Sequence, residues 1–552
     1  MPMKEIFQNI WLFCKQKPWL HLFLWVCILH RPALLNFGRA IPGNQQGDTL
    51  RGHWSAWLVS VDSTPLQSTY FNWPDGGSLL PLPPISLWLI SPITSLCGAS
   101  VGLSFLVFFH AILLMFASYL LARSVEMNKT SSRVMAIFSS TIPMLAECLY
   151  GGVYEYLTLG WLVLCFGCLI QAAKNNAHGW LWGMGAGCFF VISMIECGYW
   201  ASAGVLGVLT IILVFTRSLR GFLHIAISGL VVATLSYGYW IFVKTVFGGF
   251  LEESWQGTRV IMGEMELLSA IPGIEPPPPP PGQPDPFKSA PSLLFWLCFF
   301  IAALSNIKKT WWMIFLSILY LLIAMDSSIV HFYMRSDFGA FALNTRRYAA
   351  VMYLFMMLAI VEGGSYLHQK YLKTHSMSNW ISGVLFGLLL VSNAKNLLLQ
   401  YPLLWTPPVP SFAAQIKKDP IEGSVIVYPQ EKKDQQRRGQ QHSGHKYLSS
   451  SLNFSNPQAR LWFQTLIDRP MHHTSRLSTL TKYGQGLQLE RQIQQSEIHL
   501  LVSKGLRYVL IDYSALTKGE VKKISQMLQR EGFGCQYFEE WDGVELCRQS
   551  DR

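Results

Sequence analysis

The sequence predicts an α-helical polytopic membrane protein with about eleven transmembrane helices and a small C-terminal α/β domain. Three observations support this fold class. The 552 residues are 51% hydrophobic and only 14% charged, whereas soluble proteins carry roughly 25% charged residues. Apolar runs of the length that spans a bilayer, about 20 residues, recur through residues 1–400. After residue 400 the chain changes to short strand-like and amphipathic segments.

The transmembrane prediction rests on about eleven apolar stretches. These are residues 18–35, 99–122, 132–148, 154–172, 179–195, 200–216, 223–247, 291–306, 310–325, 345–367 and 378–399. No small-residue cleavage site follows the first stretch, so we expect a retained helix rather than a removed signal peptide. The proline- and leucine-rich stretch 80–97 is expected to dip into the membrane interface without crossing it.

Basic residues predict the orientation, because short cytoplasmic loops carry the excess of Lys and Arg. With the N-terminus in the cytoplasm, every inner loop receives basic residues: Lys15, Lys17, Arg123, Lys129, Arg133, Lys174, Arg217, Arg220, Lys308, Lys309, Lys370 and Lys373. An odd number of spans then places residues 401–552 outside. The net charge of +11 is spread over these loops, which argues against a nucleic-acid partner.

Two loops on the outer side of the predicted transmembrane domain 1–400 are long. The first outer loop, 36–81, is polar and rich in tryptophan, and the second, 248–290, contains the proline run 276–281. Such a run forms a stiff polyproline II rod, which fits either a strut over a site or a surface crossover. Long structured loops usually serve a function.

Residues 401–552 are predicted to form the small extracytoplasmic α/β domain. Two strand-like runs, an amphipathic helix and a terminal hairpin are expected at 423–428, 506–511, 518–530 and around 541–543. Cys535 and Cys547 lie in this domain and have the chance to pair if it is extracytoplasmic. Their pairing is left open by the sequence.

The first outer loop contains a predicted helix at 48–61. Leu50, Trp54 and Trp57 share one face of it, and a helix with tryptophans on its apolar face suits the membrane interface. Asp48 stands at its start, where the free N–H groups and the helix dipole favour a carboxylate. Asp48 is therefore either an N-cap, or a general base or metal ligand at the water–lipid boundary.

Several short motifs accompany this loop: Gly47-Asp48, Trp54 with Trp57, Trp73-Pro74-Asp75-Gly76, Tyr119–Arg123, Asn344–Tyr348 and Gly505–Leu510. With ten or more spans and a soluble C-terminal domain, the chain resembles the GT-C glycosyltransferase superfamily, and more closely its poorly characterised bacterial membrane proteins. The resemblance implies transfer of a sugar from a polyprenyl-phosphate donor, with inversion, to a glycan, lipid or protein acceptor. It also implies a bacterial cytoplasmic membrane, with the reaction on its outer face.

Chemistry of this kind needs a base near the acceptor hydroxyl and cations near the leaving phosphate. Asp48 is the predicted base. Arg346 and Arg347 are the predicted phosphate ligands, because guanidinium groups bind phosphate bidentately; the alternative is a snorkelling pair at the interface. Glu155 is a second catalytic candidate that would hold a divalent cation together with Asp48 or simply end a helix at the interface. Glu196 is a weaker candidate.

Two other function classes fit parts of the sequence. A secondary transporter or lipid-linked-sugar flippase normally carries ionisable residues near the bilayer midplane, whereas the central spans here are nearly free of charge. A non-catalytic scaffold with the same fold is the second alternative, since the first outer loop lacks a strict Asp-Glu or Asp-Asp pair. No phosphate-binding Gly-x-x-x-x-Gly-Lys motif is present, which argues against an ATP-driven motor.

Overall fold

The computed structural model describes most of the chain. The described residues are 18–43, 49–62, 83–174, 178–247, 292–324, 348–372, 376–399, 401–406, 409–428, 457–469, 471, 498–513, 516–540 and 543–550. Within them, six helices are long and apolar enough to cross a membrane: Ala99–Ser124, Tyr154–Ala173, Gly179–Glu196, Leu219–Tyr239, Ile307–Ala324 and Ala349–Tyr371. Further apolar helices are shorter, so the expected number of about eleven spans stays a prediction.

The helices before residue 250 are α1 Pro18–Leu29, α2 Arg31–Leu35, α3 Thr49–Val61, α4 Pro84–Cys97, α5 Ala99–Ser124, α6 Lys129–Ser139, α7 Pro143–Tyr150, α8 Leu159–Ala173, α9 Gly179–Glu196, α10 Gly198–Phe215 and α11 Leu219–Phe247. A 3-10 helix, Tyr154–Thr158, precedes α8. The later membrane-region helices are α12 Leu293–Ser305, α13 Ile307–Ala324, α14 Ala349–Leu367 and α15 Ser376–Leu399.

Prolines break two of the stretches predicted as single spans. The stretch 132–148 forms α6 and α7, and α7 starts at Pro143. The stretch 18–35 forms α1 and α2, with Pro32 in the first turn of α2. Proline has no N–H and its ring clashes with the preceding turn, so it is favoured at a helix start and tends to break or kink a helix when it lies inside. The prediction of one continuous helix was wrong at both places.

The core of the helical region is built around α8 and α14. Helix α8 packs between α5 and α9, and α14 packs against α12 and α13. The first three turns of α14 are buried on every face. Gly363 lies close to α12: a Cβ at this position would come within 2.3 Å of the carbonyl carbon of Ala302. Small residues permit such close approach between membrane helices.

The C-terminal residues form a four-stranded mixed sheet, within the part of the chain that the structure describes. Two short strands, β1 Ala40–Pro42 and β2 Leu403–Trp405, come earlier in the chain. The strands of this sheet are β3 Ser424–Tyr428, β4 Leu506–Asp512, β5 Phe533–Phe538 and β6 Val544–Gln549, in the order β3-β4-β6-β5. Strands β3 and β4 are parallel, and the other neighbours are antiparallel. These positions match the strand runs and hairpin expected from the sequence. Whether 401–552 is a separate extracytoplasmic domain stays a prediction.

Helices cover both faces of this sheet. Apolar residues of α16 Ser411–Lys418 and α17 Pro457–Ile467 pack on one face. Those of α18 Ile498–Ser503 and α19 Lys518–Arg530 pack on the other. Cys535 and Cys547 are directly opposite in β5 and β6 and form a disulfide, which resolves the pairing that the sequence left open.

A second, two-stranded sheet joins the two ends of the helical region. Strand β1, Ala40–Pro42, follows the first helices and pairs antiparallel with β2, Leu403–Trp405, which follows the last. Beside it, the Nδ1 atom of His30 lies 2.9 Å from the hydroxyl oxygen of Tyr401. Of the first outer loop, residues 36–43 and 49–62 are described, and the proline-rich loop 248–290 lies outside the described residues.

Candidate functional site

Helix α3 of the first outer loop is enclosed by protein. It packs against α4, α5 and α17, and the side chains of Trp54 and Trp57 are only 2% and 7% exposed. The sequence predicted the helix itself, but the expectation that its tryptophans lie on a membrane surface was wrong. Helix α17, which comes from the C-terminal region more than 400 residues later, covers the face that the sequence assigned to lipid.

The start of α3 is fixed by the loop that follows α7. That helix ends in a Schellman motif, in which the Val153 N–H donates to the Cys148 carbonyl and the Gly152 N–H to the Leu149 carbonyl, at 2.9 and 3.1 Å. Gly152 has a φ of +66°, and a Cβ on it would lie 2.3 Å from the backbone nitrogen of Thr49. Only glycine therefore permits this loop to contact the first residue of α3.

Tyr154 makes the second contact between this loop and α3. Its buried hydroxyl group donates a hydrogen bond to the carbonyl oxygen of Pro42 in β1. Its ring lies against Gly52, where a Cβ would come within 2.3 Å of the ring. The tyrosine therefore joins three segments: the 3-10 helix, the strand β1 and the first turn of α3.

Glu155 is half-buried in the 3-10 helix, directly after Tyr154. Thr49, the residue after Asp48 in the chain, contacts the loop that carries Glu155. The structure thus brings together the two segments in which the sequence predicted catalytic carboxylates. Asp48 itself lies outside the described residues, as do Arg346 and Arg347, which precede Tyr348 at the start of α14.

A third acidic residue, Glu196, lies at the end of α9 and close to the start of α4. Its Oε1 atom accepts hydrogen bonds from the backbone N–H of Ser86 at 2.7 Å and from the Ser86 hydroxyl at 3.0 Å. Ser86 is in the first turn of α4, where backbone N–H groups lack helical partners and attract a carboxylate. Glu196 was only a weaker candidate from its sequence, although an acid ending an apolar run was a usable signal.

Tyr156 connects the 3-10 helix to the same region. Its ring lies edge-on to the ring of Trp200 in the first turn of α10, with 5.7 Å between the ring centroids. Alternate residues of the 3-10 helix therefore contact different neighbours: Tyr154 contacts α3, and Tyr156 contacts α10. Glu155 stands between them in the chain.

His53 is a further buried polar residue of α3. Its Nε2 atom lies 3.2 Å from the hydroxyl of Ser100, and its ring packs against that of Trp462 on α17, with 4.8 Å between the centroids. Burial lowers the pKa of His53 to about 3, because the charged imidazolium is disfavoured away from water. The imidazole is therefore neutral at physiological pH and fits a structural contact.

The described residues contain one group of three metal-ligand side chains, formed by Cys535, Glu545 and Cys547. Its two cysteines are joined in the disulfide, so they have no thiolates to offer a metal. The divalent cation that the sequence suggested between Asp48 and Glu155 stays a prediction.

Sequence comparison assigns no family: no protein-family model matches the chain, and no curated protein matches it. Solved structures do match. The arabinofuranosyltransferase AftD from Mycobacteria superposes with a TM-score of 0.55 at 10% identity, over 96% of this chain and 40% of AftD. ArnT from Cupriavidus metallidurans in the apo state superposes with a TM-score of 0.50 at 11% identity, over 98% of this chain and 100% of ArnT. Both belong to the GT-C superfamily.

The chain has a GT-C-like fold. The resemblance that the sequence motifs indicated is thereby confirmed at the level of fold. The six apolar helices and these membrane neighbours also identify a membrane protein. A second ArnT structure, bound to undecaprenyl phosphate, superposes with a TM-score of 0.48 at 12% identity, over 97% of this chain and 99% of ArnT. The GT-C-like chain spans the whole of ArnT and about two fifths of AftD.

Proposed function

We propose that the chain is a glycosyltransferase that moves a sugar from a polyprenyl-phosphate donor to an acceptor hydroxyl. The GT-C-like fold supports the reaction class, because the sequence resemblance to this superfamily implies such donors and AftD is an arabinofuranosyltransferase. The acceptor is a glycan, lipid or protein hydroxyl, and the reaction is an inverting single displacement. The proposed location is the outer face of a bacterial cytoplasmic membrane, with the N-terminus inside and residues 401–552 outside.

One observation carries the assignment of the site: the loop after α7 contacts the first turn of α3, with Gly152 against Thr49 and the Tyr154 ring against Gly52. It joins the segment that continues from Asp48 to the segment that continues into Glu155. We assign Asp48 the role of general base, which takes the proton of the acceptor hydroxyl as the new glycosidic bond forms. Glu155 is assigned to the same site, as a second carboxylate.

The leaving group of this reaction is the polyprenyl phosphate, whose charge grows as the bond to the sugar breaks. Arg346 and Arg347 are assigned to it, because guanidinium groups form bidentate hydrogen bonds with phosphate oxygens. They precede Tyr348 and α14 in the chain, and the first turns of α14 are buried. A divalent cation bound by Asp48 and Glu155 would supply further charge stabilisation, and chelation by EDTA tests for it.

The decisive experiment uses the protein in nanodiscs with radiolabelled pentose and hexose derivatives of undecaprenyl phosphate and extracted envelope glycans and lipids as acceptors. The key variant is Asp48→Asn. Asparagine is as good an N-cap as aspartate, so this change removes the base and retains the capping capacity. We expect transfer by the wild type and a loss of at least about a hundredfold in Asp48→Asn, from the absent general base.

Asp62→Asn is the matched control, because Asp62 directly follows the other end of the 13-residue helix α3, which is about 20 Å long. It should transfer sugar at the wild-type rate. Equal transfer by Asp48→Asn and the wild type would show that Asp48 is a cap and not the base. Absence of transfer by the wild type with every donor, accompanied by uptake of labelled sugar into vesicles, would refute the enzyme assignment.

A further inference from the structure

Glu196 combines burial with an incomplete set of hydrogen bonds. Of the described acidic side chains between residues 18 and 399, it is the one that is buried, with 0% of its surface exposed. Burying a carboxylate is costly unless its oxygens are hydrogen-bonded. Ser86 satisfies Oε1, but Oε2 has no hydrogen-bond partner. One oxygen is thus anchored to α4, and the other can still accept a hydrogen bond.

Two other buried polar groups close to it in the chain also lack partners. They are the indole Nε1 of Trp200, in the first turn of α10, and the hydroxyl of Ser193, one turn before Glu196 in α9. Indole nitrogen only donates a hydrogen bond, an oxygen of a carboxyl group can accept one in either protonation state, and a hydroxyl does both. The junction between α9 and α10 therefore carries a donor, an acceptor and a hydroxyl on residues close together in the chain, and the ring of Tyr156 lies against that of Trp200.

Such a set is complementary to the hydroxyl groups of a sugar, each of which donates one hydrogen bond and accepts others. Binding sites commonly combine a few placed polar groups with an apolar and aromatic lining. An unpaired buried acceptor also selects against ligands that lack the hydroxyl, since the carboxylate oxygen then stays unsatisfied.

We propose that the free carboxylate oxygen of Glu196 and the indole N–H of Trp200 bind a hydroxyl group of a sugar ring, on the donor or on the acceptor. This inference rests on the proposed function and adds a binding subsite to it. Glu196 receives a hydroxyl proton as a hydrogen bond and does not remove it. Its role is therefore in substrate affinity, which separates it from the base assigned to Asp48.

Glu196→Gln is the sharpest variant, because the amide oxygen can still accept from Ser86 while an NH2 group replaces the free oxygen. We expect the KM of one substrate to rise about tenfold to a hundredfold, the range for a lost hydrogen bond to a charged group, with a smaller change in kcat. Varying donor and acceptor separately shows which of them carries the hydroxyl. Trp200→Phe keeps the ring and removes the N–H, and it should raise the KM of the same substrate.

Glu362→Gln is the matched control, because Glu362 lies on α14 in an ion pair with Lys309, at 3.5 Å. Its KM values should equal those of the wild type. Wild-type KM values in both Glu196→Gln and Trp200→Phe, with Asp48→Asn inactive, would overturn the subsite and leave the proposed reaction standing. If the wild type transfers no sugar, the subsite is tested by whether millimolar methyl glycosides raise the unfolding temperature of the protein. Stabilisation of the wild type but not of Glu196→Gln supports the subsite, and equal or absent stabilisation overturns it.

A different observation concerns how α3 is held. The indole N–H of Trp54 donates to Oε1 of Gln464 at 2.8 Å, and Nε2 of Gln464 donates to the carbonyl of Arg469 at 2.9 Å. Nη2 of Arg469 donates to the carbonyl of Asp419 at 2.7 Å. These hydrogen bonds form a continuous chain from the first outer loop to the loop before β3.

The chain ends on the central strands of the C-terminal sheet. The carboxylate of Asp419 accepts hydrogen bonds from Nε of Arg507 and from the hydroxyl of Tyr508, both in β4. It also forms an ion pair with Nε of Arg548 in β6, at 3.0 Å. Asp419 is therefore anchored on two neighbouring strands. Through Gln464, Arg469 and Asp419, hydrogen bonds connect Trp54 to the C-terminal sheet.

Gln464 is the central member of this chain. Its side chain is fully buried, and both ends of its amide are used: one partner only donates and the other only accepts, so the amide has one acceptable orientation. From these contacts we infer that Gln464 is a positioning residue, which sets the place of α3, the helix that follows Asp48 in the chain. The expected effect of Gln464 on catalysis rests on the proposed function, whereas its effect on the position of α3 does not.

The test uses Gln464→Met, which keeps the side-chain length and removes both hydrogen bonds. Thr465→Val is the control, because the Thr465 hydroxyl donates only within its own helix, to the Trp462 carbonyl at 2.7 Å. We expect hydrogen–deuterium exchange in residues 49–62 to rise about twofold to tenfold in Gln464→Met, the equivalent of one typical hydrogen bond, and to stay unchanged in Thr465→Val. The kcat of transfer should fall while the KM of the donor stays constant.

A double-mutant cycle with Trp54→Phe completes the test, since it removes the other end of the same hydrogen bond. Exchange in residues 49–62 should be no faster in the double variant than in the more affected single variant, because the same hydrogen bond can be lost only once. Additive effects on exchange, or exchange in Gln464→Met equal to that in Thr465→Val, would overturn the positioning role. The exchange measurement needs no substrate, so its outcome is independent of the proposed reaction.

Discussion

Adjacent glycines in the loop after α7 provide a matched pair of substitutions. Gly151 has a φ of −71°, and a Cβ there would meet its nearest neighbour, a Val153 methyl group, at 3.4 Å, which is ordinary contact. Gly152 has a φ of +66°, and its Cβ would come within 2.3 Å of the Thr49 backbone nitrogen. Gly152→Ala therefore requires both an unfavourable backbone conformation and a shift of the start of α3.

The magnitude follows from these two effects. A Cβ in the left-handed region costs about 1–2 kcal/mol, and forcing backbone apart in a packed core costs about 1–3 kcal/mol more. We expect Gly152→Ala to lower the free energy of unfolding by about 2–5 kcal/mol. Gly151→Ala should change it by less than about 1 kcal/mol, in the stabilising direction, because alanine reduces the entropy of the unfolded chain.

Equilibrium unfolding of both variants in mixed micelles measures this difference, and sugar transfer in nanodiscs measures its effect on the site. Gly152→Ala should lose transfer activity even at temperatures where it stays folded, because the residue after Asp48 is displaced. Equal stability and equal transfer in the two variants would refute the proposed contact between this loop and the head of α3.

Three further predictions concern the scaffold. Burial would raise the pKa of Asp419, but its hydrogen bonds and the nearby guanidinium outweigh this effect and lower the pKa to about 2. The Asp419 carboxylate therefore adds about 2 kcal/mol to the free energy of unfolding above pH 4, and this contribution is lost between pH 4 and pH 2. When Asp419→Asn is titrated with acid, its free energy of unfolding should not show this decrease. Replacing Cys535 and Cys547 by serine should lower the free energy of unfolding by about 2–3 kcal/mol, measured as a lower urea midpoint. A reductant should lower the midpoint of the wild type by the same amount and leave that of the serine variant unchanged. Gly363→Ala should cost about 1–3 kcal/mol through its clash with α12, whereas Gly364→Ala, which has open space, should unfold at the wild-type midpoint.

Local sequence signals predicted the elements that depend on local chemistry. The helical spacing after Asp48 corresponds to α3, and the β-branched runs near residues 424 and 506 correspond to β3 and β4. The same signals misjudged the surroundings of α3. Spacing shows that Trp54 and Trp57 share a face, but whether lipid or protein covers that face depends on α17, whose sequence lies far along the chain.

The candidate site shows the same limit. Glu155 was a candidate from the sequence, and the structure puts the loop that precedes it against α3. Glu196 received little weight because its partner Ser86 is 110 residues away and nothing in either local sequence indicates the pairing. Gln464 carries no signal at all, since a buried glutamine in an amphipathic helix is recognisable only from its two partners.

The pairing of β1 with β2 has a consequence for the order of folding. Arg39 and Thr406 hydrogen-bond beside these strands and are separated by 367 residues, so a ribosome working at about 5–20 residues per second needs about 20–70 s to deliver the second strand after the first. Throughout that interval the strand after the first helices has no partner, and the start of the first outer loop cannot close. The closure of the two-stranded sheet is therefore expected among the last events of biogenesis, after every membrane helix has been synthesised, and truncation before residue 403 should leave Ala40–Pro42 open to protease.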